Sequence, residues 1–425
     1  MADFNNSRLL LAINDYGLYK CCISGHTDMN NKILVILLIL ATSVSMMSTD
    51  IFVPSLPHLT DYFGVSAGYV KLTISLNVAA YCIGTLVNGP LSERFGRKSV
   101  LIWSMACFAL FSIFCALSQS IGQLIAARIL QGFVAAAEGV IVLAIIRDVF
   151  DQTDQIRVLA IYELTVSLTP AVAPIIGGYI YVYYGWRPNF YILAAIAVVT
   201  AILFQINYRE SFEKDRNALK LKEIMDDYVG LMRNSRFMKY CLMLGAGVGF
   251  YFAFATAGPF ILIKQYGLPT EYFGYYQGMM VIAYIAGSLI TAKMAKTIAP
   301  HSLLLTALLI DFIGSVFLLY IAYAGIETKV LLAISVTFIA FGTAPLFVIT
   351  PPLAMNTTWK RTGPAAALLV SIEMGLGALT ALFIGVMHDN TSRPFALVTA
   401  LIFSGTLLMY LSVRNDDKTE VDAGV

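Results

Sequence analysis

Twelve stretches of about twenty apolar residues run through this chain of 425 residues, each long enough to cross a bilayer as a helix. They fall at roughly 33–57, 68–91, 98–118, 121–147, 156–181, 187–206, 239–264, 271–294, 300–323, 328–350, 362–387 and 394–413. Inside hydrocarbon every backbone polar group must be satisfied within its own segment, so the expected fold is all-α and polytopic. Composition agrees. Only 13% of the residues are charged, against about 25% in a soluble domain.

Most connections between these stretches are short. The exception is 207–238, rich in Lys, Arg, Glu and Asp, which divides the spans six and six. Within it Leu219, Leu221, Ile224, Met225, Tyr228, Leu231 and Met232 recur at helical spacing, which predicts an amphipathic helix on the membrane surface. The expected organisation is a leading segment 1–32, a six-helix bundle 33–206, the linker 207–238, a second bundle 239–413 and a tail 414–425. A weak echo of the turn after span two, Gly287-Ser288-Leu289 with Lys293 and Lys296 after span eight, suits an internal repeat.

Basic residues set the orientation. Of the 28 Lys and Arg residues, 22 fall on the side that carries both termini, and five on the other: Lys71, Arg187, Lys264, Lys329 and Arg393. Both termini are therefore expected in the cytoplasm. Residues 1–31 have no cleavable apolar core after basic residues. Met29 stands just before the first span, and translation is expected to begin there.

Several classes are disfavoured. Cys82, Cys107, Cys115 and Cys241 lie inside apolar runs as packing residues, Cys21 and Cys22 precede them, and no metal-ligand spacing appears. There is no phosphate-binding glycine loop and no metalloprotease helix motif. No nucleophile–base pair is visible, so an enzyme is not expected. Neither metal, cofactor nor nucleic-acid partner is implied.

Charged groups inside spans carry the functional signal. Asp50 lies in Thr49-Asp50-Ile51-Phe52-Val53-Pro54-Ser55-Leu56-Pro57, about 10 Å in from the outer end of span one. An acid there costs about 2.5–3.5 kcal/mol on insertion scales and marks a proton site by default. The alternative is a cap near the interface before Pro54. Arg128 lies at equal depth in span four, either as a fixed charge that partners Asp50 or tunes its pKa, or reaching for the outer face. Glu138 and Glu163 are expected about 10–14 Å from the cytoplasmic face, and Glu373 and Asp311 near mid-depth. Glu138, Glu163 and Glu373 are candidates for a substrate cavity, and Asp311 is the weakest of the acids.

Other motifs add to this. The turn after span two reads Gly89-Pro90-Leu91-Ser92-Glu93-Arg94-Phe95-Gly96-Arg97-Lys98. A static positive anchor explains Arg97 and Lys98 but not Gly89, Glu93 and Gly96. A latch explains all five, with Glu93 pairing a nearby base or meeting the start of span eleven at Thr362-Gly363-Pro364. In span five, Pro170 and Pro174 remove helix hydrogen bonds and Gly177-Gly178 permits close packing. Phe250, Tyr251, Phe252 and Phe254 in span seven either line a cavity, with Phe250, Tyr251 and Phe254 as candidates, or face lipid.

Taken together, these stretches resemble the major facilitator superfamily, and within it the twelve-span drug:proton antiporters of the Bcr/CflA branch, associated with bicyclomycin resistance. The likeness rests on Thr49 to Pro57, the Gly89–Lys98 turn, Arg128 to Ala137 with Arg147-Asp148, Ala173 to Gly178, and Ala257-Gly258-Pro259-Phe260 with Phe273-Gly274-Tyr275-Tyr276. The resemblance implies two pseudo-symmetric bundles around a cavity open to alternate sides. It implies a monomer in the bacterial inner membrane that exports lipophilic small molecules, cations among them, in exchange for protons. By the same analogy Asp50 couples the proton, Arg128 is the proton-relay or cavity arginine, Glu93 gates, and Pro170, Pro174, Gly177 and Gly178 form the antiporter bend. Glu93 stands where the family has Asp, and Ala173 where Gly is usual. A dedicated exporter of a metabolite or siderophore, or an uptake symporter, is the alternative on this fold.

Overall fold

A computed structural model describes residues 27–210, 221–358, 362–387, 389 and 391–422. Residues 1–26, Leu219 and the linker stretch 211–220 lie outside these, so the expectations for the leading segment and part of the surface helix fall outside the described residues. The spans, numbered in order, are Asn31–Phe63, Ala67–Phe95, Arg97–Leu117, Ile121–Val149, Gln152–Tyr184, Arg187–Asn207, Ser235–Gln265, Thr270–Met294, Pro300–Ala324, Lys329–Asn356, Gly363–Val386 and Arg393–Ser412. All twelve are long and apolar enough to cross a membrane. No strand occurs among the described residues.

The two halves pack alike. In the first, span two packs on span four, span three on spans four and six, and span one on span five. In the second, span eight packs on span ten, span nine on spans ten and twelve, and span seven on span eleven. The halves meet along two seams, span two against span eleven and span five against span eight.

Span one is not one helix. Its first helix, Thr27–Asp50, ends at Asp50, a short 3₁₀ turn occupies Val53–Ser55, and a second helix runs Leu56–Phe63. Pro54 and Pro57 each stand at the start of a helical piece, where a missing N–H costs nothing. The bend places Asp50 at a helix end rather than in a wall. Span five stays helical through Pro170 and Pro174 over Gln152–Tyr184. Span seven runs helical over Ser235–Pro259 and continues as a π-helical turn over Phe260–Gln265, a form frequent at functional sites.

The seams close the face opposite the Gly89–Lys98 turn. His58 and Thr270 share a 2.8 Å hydrogen bond across the halves, and the His58 ring stacks on Tyr181 at 4.3 Å. Lys264 Nζ donates to Thr60 Oγ1 at 2.9 Å and lies 3.6 Å from Asp61 Oδ1. Lys71 Nζ donates to the Ile384 carbonyl at 3.4 Å. Span five is seated by Gly177, whose backbone touches Ile51: a Cβ there would lie 1.7 Å from the Ile51 carbonyl oxygen. Gly177→Ala is therefore expected to separate spans one and five, costing about 1–3 kcal/mol as overpacking. The check is a lower melting temperature of the detergent-solubilised protein. A Gly177→Ala protein that melts with the parent would refute this seating.

Candidate functional site

Between the halves lies a cavity of about 1160 Å³ that opens at the face of the Gly89–Lys98 turn. Asp50, Asn77 and Tyr251 are among the residues on its floor, Tyr81, Tyr162, Glu163, Tyr284 and Glu373 on its walls, and Glu93, Arg97, Arg147 and Asp148 at its mouth. The volume suits a drug-sized molecule.

Asp50 is buried, and its hydrogen-bond donors come from the other half. The Tyr251 hydroxyl of span seven donates to Asp50 Oδ1 in a short hydrogen bond. Gln277 Nε2 of span eight donates to the same oxygen at 3.3 Å and to the Tyr251 hydroxyl at 3.0 Å. Three spans thus converge on one carboxylate. Hydrogen bonds to an ionised acceptor are roughly twice as strong as neutral ones. When ionised, Asp50 ties span one to spans seven and eight on the closed side.

Arg128 is fully buried. Among the described residues it makes no hydrogen bond to Asp50, though the two charges lie close enough to act on each other, and it does not reach the outer face. Instead Nη1 donates to the Ser48 carbonyl at 2.9 Å and to Gln131 Oε1 at 2.6 Å, and Nε donates to the Thr73 carbonyl at 3.4 Å. Its guanidinium sits 5.8 Å from the Phe52 ring centre and 5.9 Å from that of Phe190. Asn77 joins the network, donating through Nδ2 to the Arg128 carbonyl at 2.7 Å and accepting from Thr49 at 3.2 Å. Gln131 passes it to Ser112 of span three at 2.7 Å. Arg128 fixes the two residues before Asp50, Ser48 directly and Thr49 through Asn77.

At the mouth, Gly96 turns the chain between spans two and three with φ +97°, a conformation that L side chains rarely adopt. Glu210, the first acid of the linker, accepts from the backbone N–H groups of Arg97 at 3.0 Å and Lys98 at 3.2 Å, capping span three. Arg97 pairs with Asp148 at 3.2 Å and donates to Ser92 at 2.7 Å. Lys98 Nζ donates to the Gln205 carbonyl at 2.9 Å. Among the described residues Glu93 makes no hydrogen bond to span eleven, so the expected latch is not engaged in this conformation. Glu93 instead lies near Tyr228 of the surface helix Leu221–Met232. Burial, followed by the Glu93 and Asp227 carboxylates, pushes the Tyr228 hydroxyl above its ordinary value. Gly89 lines the mouth, where an added Cβ would lie 3.6 Å from Val140.

Comparison with known proteins gives the family. The sequence profile of the Major Facilitator Superfamily matches residues 38–362. The chain belongs to the major facilitator superfamily. Among its relatives in the superfamily, an uncharacterized MFS-type transporter, YdgK of Bacillus subtilis, is 30% identical over 87% of this chain and 93% of its own. A bicyclomycin resistance protein homolog of Haemophilus influenzae is 26% identical over 90% of this chain and 97% of its own, in keeping with the Bcr/CflA likeness. The fold matches an inward-facing bacterial homolog of the lysosomal transporter Spinster, with TM-score 0.68 and 14% identity over 91% of this chain and 96% of that one. The chain is a transporter and not an enzyme.

Within this superfamily fold some expected site residues gather and others do not. Glu163 and Glu373 line the cavity, from span five and span eleven, close enough to feel each other's charge. Tyr251 and Phe250 line it as well, Phe250 also stacking on Phe395 at 6.2 Å. Phe254 does not. It is buried against Phe273 and Phe395, because that turn of span seven faces span twelve. Glu138 is likewise corrected: it is fully buried behind the cavity wall, and neither carboxylate oxygen has a hydrogen-bond partner among the described residues. Asp311 is buried inside the second half against Gly342 of span ten, also without a partner among them. Pro170 lines the cavity, while Pro174, Gly177 and Gly178 are packed away from it.

Sequence reasoning missed Gln277, Gln131, Asn77 and Glu210. The signal was present for the three amides, since an uncharged amide in a span also demands partners. Arg128→Lys keeps the charge but loses the planar fork that serves three carbonyl or amide oxygens. It is expected to cost about 3 kcal/mol or more, as when a buried network is broken. A fall in melting temperature and in monodisperse yield would show it; unchanged values would mean that charge alone suffices.

Proposed function

We propose that this chain is a proton-coupled exporter of lipophilic small molecules, cations among them, working as a monomer by alternating access in the bacterial inner membrane. The face with the Gly89–Lys98 turn and both termini is cytoplasmic, so the present conformation is open inward. Asp50 carries the proton. The observation behind this reading is the placing of a titratable carboxylate at the cavity floor, hydrogen-bonded among the described residues by donors of the opposite half. Protonation removes the negative charge at which Tyr251 and Gln277 are aimed. The charge state of Asp50 thus sets how firmly spans one, seven and eight are joined. In the exchange, drug entering from the cytoplasm displaces the proton to that side, the drug-loaded protein opens outward, and Asp50 takes a proton from outside as the drug leaves.

Resistance proteins among the relatives support export: the Haemophilus influenzae bicyclomycin resistance homolog, and a chloramphenicol resistance protein, CraA of Acinetobacter baumannii, 24% identical over 77% of this chain and 79% of its own. The acidic walls and ring-rich lining suit lipophilic cations. The test is ethidium accumulation in cells with and without the chain, together with ethidium-driven proton movement in proteoliposomes. Asp50→Asn is expected to abolish proton-linked efflux, by at least about tenfold, within the usual range of coupling between sites. Tyr251→Phe removes one of two donors and is expected to reduce it by a smaller factor. Wild-type proton dependence in Asp50→Asn would refute coupling at this residue, and uptake in place of efflux would reverse the direction.

A further inference from the structure

At the closed outer end lies a second, smaller cavity of about 290 Å³, which among the described residues shares no lining residue with the central one. It sits between the halves. Span two of the first half supplies Lys71, and spans seven, eleven and twelve of the second supply Phe260, Ile261, Lys264, Ile384 and Phe395. The π-helical turn at the end of span seven accounts for three of these. Its bonding between residues five apart, as from the Tyr266 N–H to the Ile261 carbonyl at 3.0 Å, brings Lys264 and Gln265 to the same side as Phe260 and Ile261. Floor and rim differ: Phe260, Ile261, Ile384 and Phe395 are buried, whereas Lys264 and Gln265 are exposed.

The lining carries charge of one sign. Among the described residues the charged groups that line this cavity are Lys71 and Lys264, and no carboxylate does. Lys71 is 2% exposed, a rare burial for an ammonium. Its Nζ donates to the Ile384 carbonyl at 3.4 Å, beyond the usual range of about 2.7–3.2 Å, and lies 4.9 Å from the centre of the Phe260 ring. Two acids stand outside the lining. Asp389 is exposed, accepts from the Thr391 N–H at 2.9 Å and from its hydroxyl at 2.7 Å, and its charge acts on Lys71. Asp61 lies 3.6 Å from Lys264 with its side chain 80% exposed, and an ion pair so exposed contributes little. Burial of an ammonium is costly, and every anion or acceptor that approaches it offsets the cost. The cavity thus presents two cations, one of them buried, beside an apolar floor.

We propose that this outer cavity binds an amphiphilic anion, a phosphate or carboxylate head on an alkyl chain, with the head between Lys71 and Lys264 and the chain against Phe260 and its apolar neighbours. Basic pockets between membrane helices receive lipid head groups. The outer leaflet is one source of such a molecule, and a soluble alkyl acid is the other. The volume stands near the lower end of the ligand-site range of about 300–1,000 Å³. It admits a head and a short stretch of chain but not a whole lipid. Because Lys71 and Lys264 belong to different halves, the bound head bridges them on the closed side. The site stands whether or not the central cavity carries cations.

The test uses full-length protein in an uncharged maltoside detergent, read by native mass spectrometry and by melting temperature. The probe is decyl phosphate, with decanol and inorganic phosphate as its separate parts. Decyl phosphate is expected to bind and to raise the melting temperature saturably, and each part alone to bind at least about tenfold more weakly, the scale of one hydrogen bond to a charged group. Lys71→Gln should weaken decyl phosphate by a similar factor. Lys264→Gln, at the exposed rim, should weaken it about two- to fivefold, and Lys329→Gln, an exposed lysine elsewhere on the outer face, should leave it unchanged. Should Lys71→Gln fold poorly, Lys264→Gln against Lys329→Gln decides the matter. Either part binding as well as decyl phosphate, or equal effects of Lys264→Gln and Lys329→Gln, would overturn the proposal. Nanodiscs separate the sources. A melting temperature raised by phosphatidylglycerol over phosphatidylcholine, with the gain diminished in Lys264→Gln, assigns the site to lipid. Stabilisation by decyl phosphate in phosphatidylcholine discs, with no gain from phosphatidylglycerol, assigns it to a soluble amphiphile. Absence of both gains would sink the site.

Discussion

A guanidinium shut away from water governs the architecture of the first half. Arg128 cannot shed its charge, so each N–H that finds an oxygen lowers the penalty of burial. The Ser48 and Thr73 carbonyls and the Gln131 amide supply those oxygens, and Asn77 and Ser112 hold the suppliers. Spans one to four are thereby fixed in register, and the end of the first helix, with Asp50 on it, is held still. A carboxylate attached to a rigid half can transmit its charge state between the halves only if its partners belong to the other half. Tyr251 and Gln277 meet that condition.

The scaffold was readable because bilayer thickness leaves few solutions. A run of twenty apolar residues becomes a helix, and short connections make neighbours antiparallel. The interior was harder. Depth along a span follows from counting, but the face of the helix does not, since a span surrounded by protein and lipid is apolar on all sides. Asp50 and Arg128 are both buried and within reach of each other's charge, but the hydrogen bonds of Arg128 go elsewhere, because equal depth fixes height and not azimuth. Glu138 and Phe254 failed for the same reason: each lies one helical step from a residue that does face the cavity. Gln277 was hidden beside the aromatic run Tyr275-Tyr276, where rings drew attention from the amide. Glu210 could not be foreseen, since nothing local tells a linker acid that it will cap a helix more than a hundred residues earlier.

The mouth shows how little of a sequence motif is chemistry. Gly96 supplies a backbone angle, Arg97 an ion pair within its own half, and Lys98 a tie to the end of span six. These interactions make the turn a stiff corner on which the linker begins. Glu93 is left at the rim near the surface helix.

The two seams between halves are unequal. Along spans two and eleven contact continues from Gly68, opposite Gly385, down to Cys82, whose thiol touches Ser371 at 3.1 Å near the middle of the protein. The closest contacts of spans five and eight are confined to the outer end. A joint that is long on one flank and short on the other does not part evenly. The cavity therefore has two unlike edges, and whatever parts the halves meets more resistance on one flank than on the other.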